Sequence, residues 1–170
     1  MNNCRFTGDI NRINQMKKVT IYTDGSSHGN PGPGGYGAII EYIDSKGIKH
    51  EKEISEGFKN TTNNRMELLG PIMALSSLNT PCEVLIVSDS KYLIDAFEKK
   101  WIDSWQKNGW KNSKKEPVKN PDLWQKLLKV MEPHKISFKW VKGHASHPQN
   151  ERCDQMANAA ANGSDLKHDM

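Results

Sequence analysis

The stretch Val19-Thr20-Ile21-Tyr22-Thr23-Asp24-Gly25-Ser26 constrains the chain more than any other. Ile21 and Thr23 alternate with Thr20 and Tyr22, which predicts a β-strand. Asp24 stands where that strand ends, and Gly25 turns the chain directly after it. The organising question is therefore which other acids the fold brings to Asp24.

The next stretch, Gly32 to Gly37, spells G-x-G-x-x-G. A dinucleotide fingerprint needs a strand before it and a helix after it. Here Ala38 to Ile43 reads as a strand, and no Lys-Ser/Thr follows for a P-loop. The glycines are read as a tight connection between antiparallel strands. Ile48 to Ile54 alternates as a third strand after a turn at 44–47. Thr61-Thr62-Asn63-Asn64 supplies helix-capping chemistry. A helical stripe then runs through residues 68, 69, 72, 73, 75 and 78, with Pro71 inside it. Proline lacks the N–H that would bond the Glu67 carbonyl. Glu83 to Val87 is a strand ending in Ser88-Asp89-Ser90, and a helix follows from Lys91. A helix from Pro121 to Met131, a strand from Ile136 to Val141 and a last helix from Asn150 to Gly163 complete the chain.

The predicted order is βββαβααβα, an α/β fold with a five-stranded mixed sheet flanked by helices. The first helix serves as a crossover that makes the fourth strand parallel to the first. Asp24 and Asp89 then lie side by side at the sheet edge where α/β folds place their sites. A chain of 170 residues suits one domain, taken as 18–163. Residues 1–17 are expected as a flexible extension and 164–170 as a flexible tail. No apolar run reaches membrane-spanning length and no secretion signal opens the chain, so the expected location is cytoplasmic. Cys4, Cys82 and Cys153 are odd in number and far apart. That spacing argues against a disulfide framework and against a zinc site.

Charge is uneven. Between Lys99 and Lys119, seven lysines face Asp103 and Glu116, a net +5 in a chain of net +4. A local basic patch on a nearly neutral body suits a polyanionic partner, although a lysine run also suits a plain solvated face.

Four acids stand out: Asp24 and Asp89 at strand ends, Glu67 early in a helix, and Asp154 early in the last one. Each alone has a local explanation as turn, cap or dipole partner. Together they repel and need a counter-charge. Without a cysteine or multiple-histidine ligand set, Mg²⁺ or Mn²⁺ fits, since both prefer oxygen donors. His144 and His147 form an HxxH in a loop, weak as a zinc pair, and a loop histidine beside carboxylates suits proton transfer.

Six motifs in order resemble those of ribonuclease H type 1, the bacterial ribonuclease HI family. They are Tyr22-Thr23-Asp24-Gly25-Ser26, Gly29-Asn30-Pro31-Gly32, Thr62-Asn63-Asn64-Arg65-Met66-Glu67-Leu68, Ser88-Asp89-Ser90-Lys91-Tyr92, Trp140-Val141-Lys142-Gly143-His144 and Asn150-Glu151-Arg152-Cys153-Asp154. The resemblance implies a ribonuclease H-like fold and an endoribonuclease that cuts the RNA strand of RNA–DNA hybrids, leaving 5′-phosphate and 3′-hydroxyl ends. It implies that Asp24, Glu67, Asp89 and Asp154 bind two Mg²⁺ ions, with Mn²⁺ as a substitute. One ion would activate water and the other would stabilise the leaving oxygen. His144 resembles the family's loop histidine, which moves protons or helps product leave. Asn30, Asn63 and Asn64 resemble hybrid contacts, and Thr62 a phosphate contact. The basic segment resembles the family's protrusion, which makes Lys107, Trp110, Lys111 and Lys114 candidate substrate contacts. Trp101 and Trp105 are expected in the core. The expected state is a monomer with no obligate protein partner. A catalytically silent binder of hybrid or duplex RNA and a DNA resolvase are the competing readings. The first would be marked by a missing carboxylate, and none is missing. Gly70-Pro71 and Ser146 depart from the family pattern.

Overall fold

The computed structural model describes residues 16–143 and 147–169. The expected extension therefore falls mostly outside the described residues, although Lys17 already opens the first strand, and His144 lies outside them too. Strands β1 (Lys17–Ser27), β2 (Gly32–Ile43) and β3 (Lys49–Thr61) form an antiparallel meander. Helix α1 (Asn63–Ser76) crosses over to β4 (Cys82–Ser88), which pairs parallel to β1. Helices α2 (Lys91–Glu98), α3 (Trp101–Lys107) and α4 (Pro121–Met131) follow. Strand β5 (Lys135–Trp140) pairs parallel to β4, and α5 (Pro148–Ala161) precedes a short β6 (Leu166–Lys167). The sheet order is β5-β4-β1-β2-β3-β6. Among the described residues, no helix is long and apolar enough to cross a membrane.

The sheet separates two packing layers. Val19, Ile21, Tyr36, Ala38 and Ile40 pack with the buried side of α1, where Leu68, Ile72 and Leu75 are almost wholly enclosed. Trp124 of α4 is fully buried beside Phe97, Tyr92 and Trp105. On the opposite face α5 lies across β2, with Cys153, Ala157 and Ala161 turned inward.

Several expectations change in detail. The middle of the chain holds three helices rather than two, because Trp101–Lys107 forms its own short helix. Trp105 joins the core as expected, but Trp101 is 41 % exposed and instead lies under the Lys99 ammonium. Pro71 does not end α1, which runs on to Ser76. Its neighbour Gly70 has a plain packing reason. A Cβ there would sit 2.2 Å from the Thr23 hydroxyl oxygen, so α1 reaches β1 only through a glycine.

Six strands form where five were expected, because the C-terminal segment is tied down rather than flexible. Leu166 and Lys167 pair with Gly57 and Phe58 of β3, and the Lys167 ammonium bonds Glu56. The Asp169 carboxylate accepts from Arg65 Nε at 2.6 Å and Nη2 at 3.1 Å, and from the Thr61 hydroxyl at 2.6 Å. The same guanidinium grips Asp122 at the start of α4 at 2.8 and 3.1 Å. An Arg65 side chain this enclosed, at 16 % exposure, needs its charge matched, and two carboxylates in bidentate geometry match it. Asp169→Asn should lower unfolding free energy by about 1.5–3 kcal/mol, the range for hydrogen bonds to a charged group. Urea melts of the two proteins check this, and coincident midpoints would show that the contact contributes no stability.

Candidate active site

Two glycines decide where the acids meet. Gly25 follows Asp24 in β1, and a Cβ on it would fall 2.5 Å from the Glu67 backbone nitrogen. The first turns of α1 therefore press directly on the strand end, and Glu67 arrives beside Asp24. Across the ladder Asp24 pairs with Gly37 of β2. A Cβ on Gly37 would fall 2.5 Å from the Cys153 carbonyl oxygen, so α5 rests on bare backbone there. That seat brings Asp154, the next residue of α5, to the same place from the other face. The glycine run predicted as a connection thus belongs mostly to strand β2, where it makes room for a helix. The reversal itself occupies 28–31, closed by the His28 amide donating to the Pro33 carbonyl at 2.6 Å.

Asp89 comes from the parallel partner strand. The β1–β4 register pairs Tyr22 with Val87, so Asp24 and Asp89 end up level just past the last rung. Carboxylate oxygens of Asp24, Glu67 and Asp89 lie within 4.8 Å of one another. Asp154 lines the same cleft of about 250 Å³, together with Asn63, Lys142, His147 and Asn150. Asn158, one turn after Asp154, donates to its Oδ1 at 3.3 Å and accepts from the Ser26 hydroxyl at 2.9 Å. Sequence reasoning missed Asn158, though its i+4 spacing on a helix was the available signal.

Electrostatics set the chemistry of the cleft. Asp24 is 8 % exposed and Glu67 6 %. Burial pushes the Asp24 carboxyl up to about 8, helped by the neighbouring Asp89 charge and by Asp154, while the Gly25 N–H opposes the rise. Burial also raises Glu67 well above the usual carboxylate range, with Asp24 and Asp89 next in effect and the Asn63 side chain opposing. Glu67 Oε2 is buried without a hydrogen-bond partner. A buried acceptor costs free energy when unpaired, and like charges this close cannot all ionise unaided. An all-oxygen donor set with an orphaned acceptor fits a hard divalent cation.

The remaining candidates are more scattered. Thr62 caps α1 by accepting from the Arg65 amide at 3.2 Å. Asn63 reaches the cleft, whereas Asn64 and Asn30 are exposed near it in sequence but do not line it. Lys107, Lys111 and Lys114 are exposed, and Trp110 packs part of its ring on the core.

A raised acid binds more protons folded than unfolded, so its stabilising effect is complete at low pH and is lost as pH rises towards the folded value. The metal-free protein should therefore lose stability between about pH 4 and about pH 8 through Asp24. Asp24→Asn should flatten that loss, and a divalent cation that occupied the cleft would reverse it in the parent. Thermal melts in chelator and in Mg²⁺ across this range test both. Gly37→Ala should force α5 off its seat, costing about 1–3 kcal/mol as overpacking does; urea melts of the two proteins check this.

Comparison with known proteins bears on this geometry. The RNase H family model matches residues 16–162. A ribonuclease H of Lachnoclostridium phytofermentans is 57 % identical over 153 residues, covering 89 % of this chain and 97 % of that protein. One from Desulforamulus reducens is 53 % identical over 162 residues, covering 95 % and 99 %. Among solved structures, LC9-RNase H1, described as a type 1 RNase H with the type 2 active-site motif, superposes with a TM-score of 0.78. It shares 33 % identity, with 86 % of this chain and 72 % of that one covered. LC11-RNase H1 in complex with RNA/DNA hybrid superposes with a TM-score of 0.57 at 26 % identity, covering 84 % and 96 %.

Proposed function

The chain belongs to the RNase H family, and from that premise we propose that it hydrolyses phosphodiester bonds of the RNA strand in RNA–DNA hybrids with two Mg²⁺ ions held by Asp24, Glu67, Asp89 and Asp154. The observation that carries the reading is the convergence of three carboxylates within 4.8 Å, with Asp154 on the same cleft. Bound there, a pair of divalent ions supplies an activated water and charge stabilisation for the leaving 3′-oxygen. The products then carry 5′-phosphate and 3′-hydroxyl ends.

The protein's own residues do the remaining work. Asn63 joins the cleft to the start of α1, where Thr62, Asn63 and Asn64 present polar groups to the hybrid. RNA is distinguished from DNA by its 2′-hydroxyls, read across a wide minor groove. Lys107, Lys111 and Lys114 add phosphate contacts outside the cleft, with Trp110 beside them and Asn30 on the reversal before β2. His144 moves protons near the reacting phosphate without holding metal. Ca²⁺, which binds oxygen ligands without supporting the reaction, is the probe for binding alone. The working form is a cytoplasmic monomer, with the hybrid as its partner.

A labelled hybrid, duplex DNA and duplex RNA, each with and without Mg²⁺, separate this reading from a silent binder and from a DNA resolvase. Only the hybrid should be cut, and only with metal. Asp89→Asn in a folded protein should nearly abolish Mg²⁺-dependent turnover, and near-parental cleavage would remove the carboxylate site from the reaction. His144→Ala should slow turnover by about 10²–10⁴-fold with Mg²⁺ affinity retained. Replacing Lys107, Lys111 and Lys114 with alanine should flatten the salt dependence of hybrid binding by about 0.7–0.9 log units for each phosphate deprived of its lysine. An unaltered slope would make that segment an ordinary charged surface.

A further inference from the structure

Asp89 is the first of two residues, Asp89 and Ser90, that link β4 to α2, and its surroundings are tied on both sides. The Ser88 hydroxyl accepts from the Ser90 amide at 3.0 Å, and the Ser90 hydroxyl caps α2 by accepting from the Leu93 amide at 3.2 Å. The Val141 amide donates to the Ser88 carbonyl at 3.0 Å, one step beyond the Ser88–Trp140 pair of the β4–β5 ladder. The Trp140 indole N–H then donates to the Asp89 carbonyl at 3.0 Å.

Trp140 does not belong to the enclosed core. It shares a sheet face with Ile136 and Phe138, and Phe138 stacks on Phe97 at 4.5 Å between centroids. Trp140 lies past that contact, 41 % exposed, with the Lys91 ammonium 5.0 Å from its ring centre. An aromatic ring that leaves this much apolar surface in water is justified by its polar edge, since a tryptophan N–H is a donor with one fixed direction. Asp89 is also hemmed in from below, because a Cβ on Gly143 would fall 2.9 Å from its Oδ2.

We propose that Trp140 is a positioning residue for Asp89, its indole N–H holding the Asp89 carbonyl so that the carboxylate stays turned into the cleft. The inference rests on the carboxylate site proposed above. It assigns Trp140 no contact with the substrate. Its effect reaches the reaction through Asp89.

Trp140→Phe keeps the ring and removes the donor, and Trp140→Ala removes both. Mg²⁺ binding is followed without substrate, by backbone amide shifts in the otherwise metal-free protein. Trp140→Phe should weaken Mg²⁺ binding by about three- to tenfold, the worth of one hydrogen bond. It should lower kcat for the hybrid by a similar factor and leave KM unchanged. Parental Mg²⁺ binding and kcat in Trp140→Phe, with losses confined to Trp140→Ala, would overturn the proposal and make the ring a packing surface. Lys91→Met removes the cation above the ring and keeps the donor, so Mg²⁺ affinity should stay level or rise. A loss matching that of Trp140→Phe would also overturn the proposal. If the parent binds Mg²⁺ at the carboxylates yet leaves the hybrid uncut, the proposed activity fails while the Mg²⁺ comparison still decides the role of Trp140.

Discussion

Backbone-to-backbone contact at two adjacent points of the β1–β2 ladder holds this site together. Gly25 seats the first turns of α1 and Gly37 seats α5, from opposite faces of the sheet. Neither contact leaves space for a methyl group. Each helix carries its acid at the point of contact, Glu67 immediately after Met66 and Asp154 immediately after Cys153. The sheet supplies the other two acids through the parallel alignment of β1 and β4. Precision comes from main chain, which cannot change rotamer, so the donors start close to their working positions.

That closeness has an electrostatic cost. Buried carboxylates at such range repel, and the protein alone answers with protonation. A cation held by these acids would have to displace protons from Asp24 and Glu67 as it gained their charge. The site is built against its own stability, and a large enclosed core on the other face of β1, centred on Ile21, Leu68 and Trp124, offsets this.

Much of this was legible in the chain because it depends on short-range pattern. Strand alternation up to Asp24 and the crossover through α1 predict that Asp24 and Asp89 meet, and the family resemblance adds Glu67 and Asp154 to them. What was not legible depends on contacts distant in sequence. The glycines of β2 look like a turn until α5 is laid across them, more than a hundred residues later. Trp101 and Trp105 have the same local appearance, and only the position of Trp124 decides that Trp105 packs on the core while Trp101 stays exposed. The C-terminal segment is polar and carries no strand pattern. Its docking depends on an Arg65 that needs a second carboxylate.

The Asp169–Arg65 contact has a consequence for how the molecule opens. Arg65 lies in the first turn of α1, two residues before Glu67, and its guanidinium is shared between Asp169 and Asp122. A carboxypeptidase that trims residues 166–169 would strip one of those two carboxylates from a largely enclosed cation. The loosening would register as faster amide hydrogen exchange at the start of α1, next to the cleft, while the core strands stay protected.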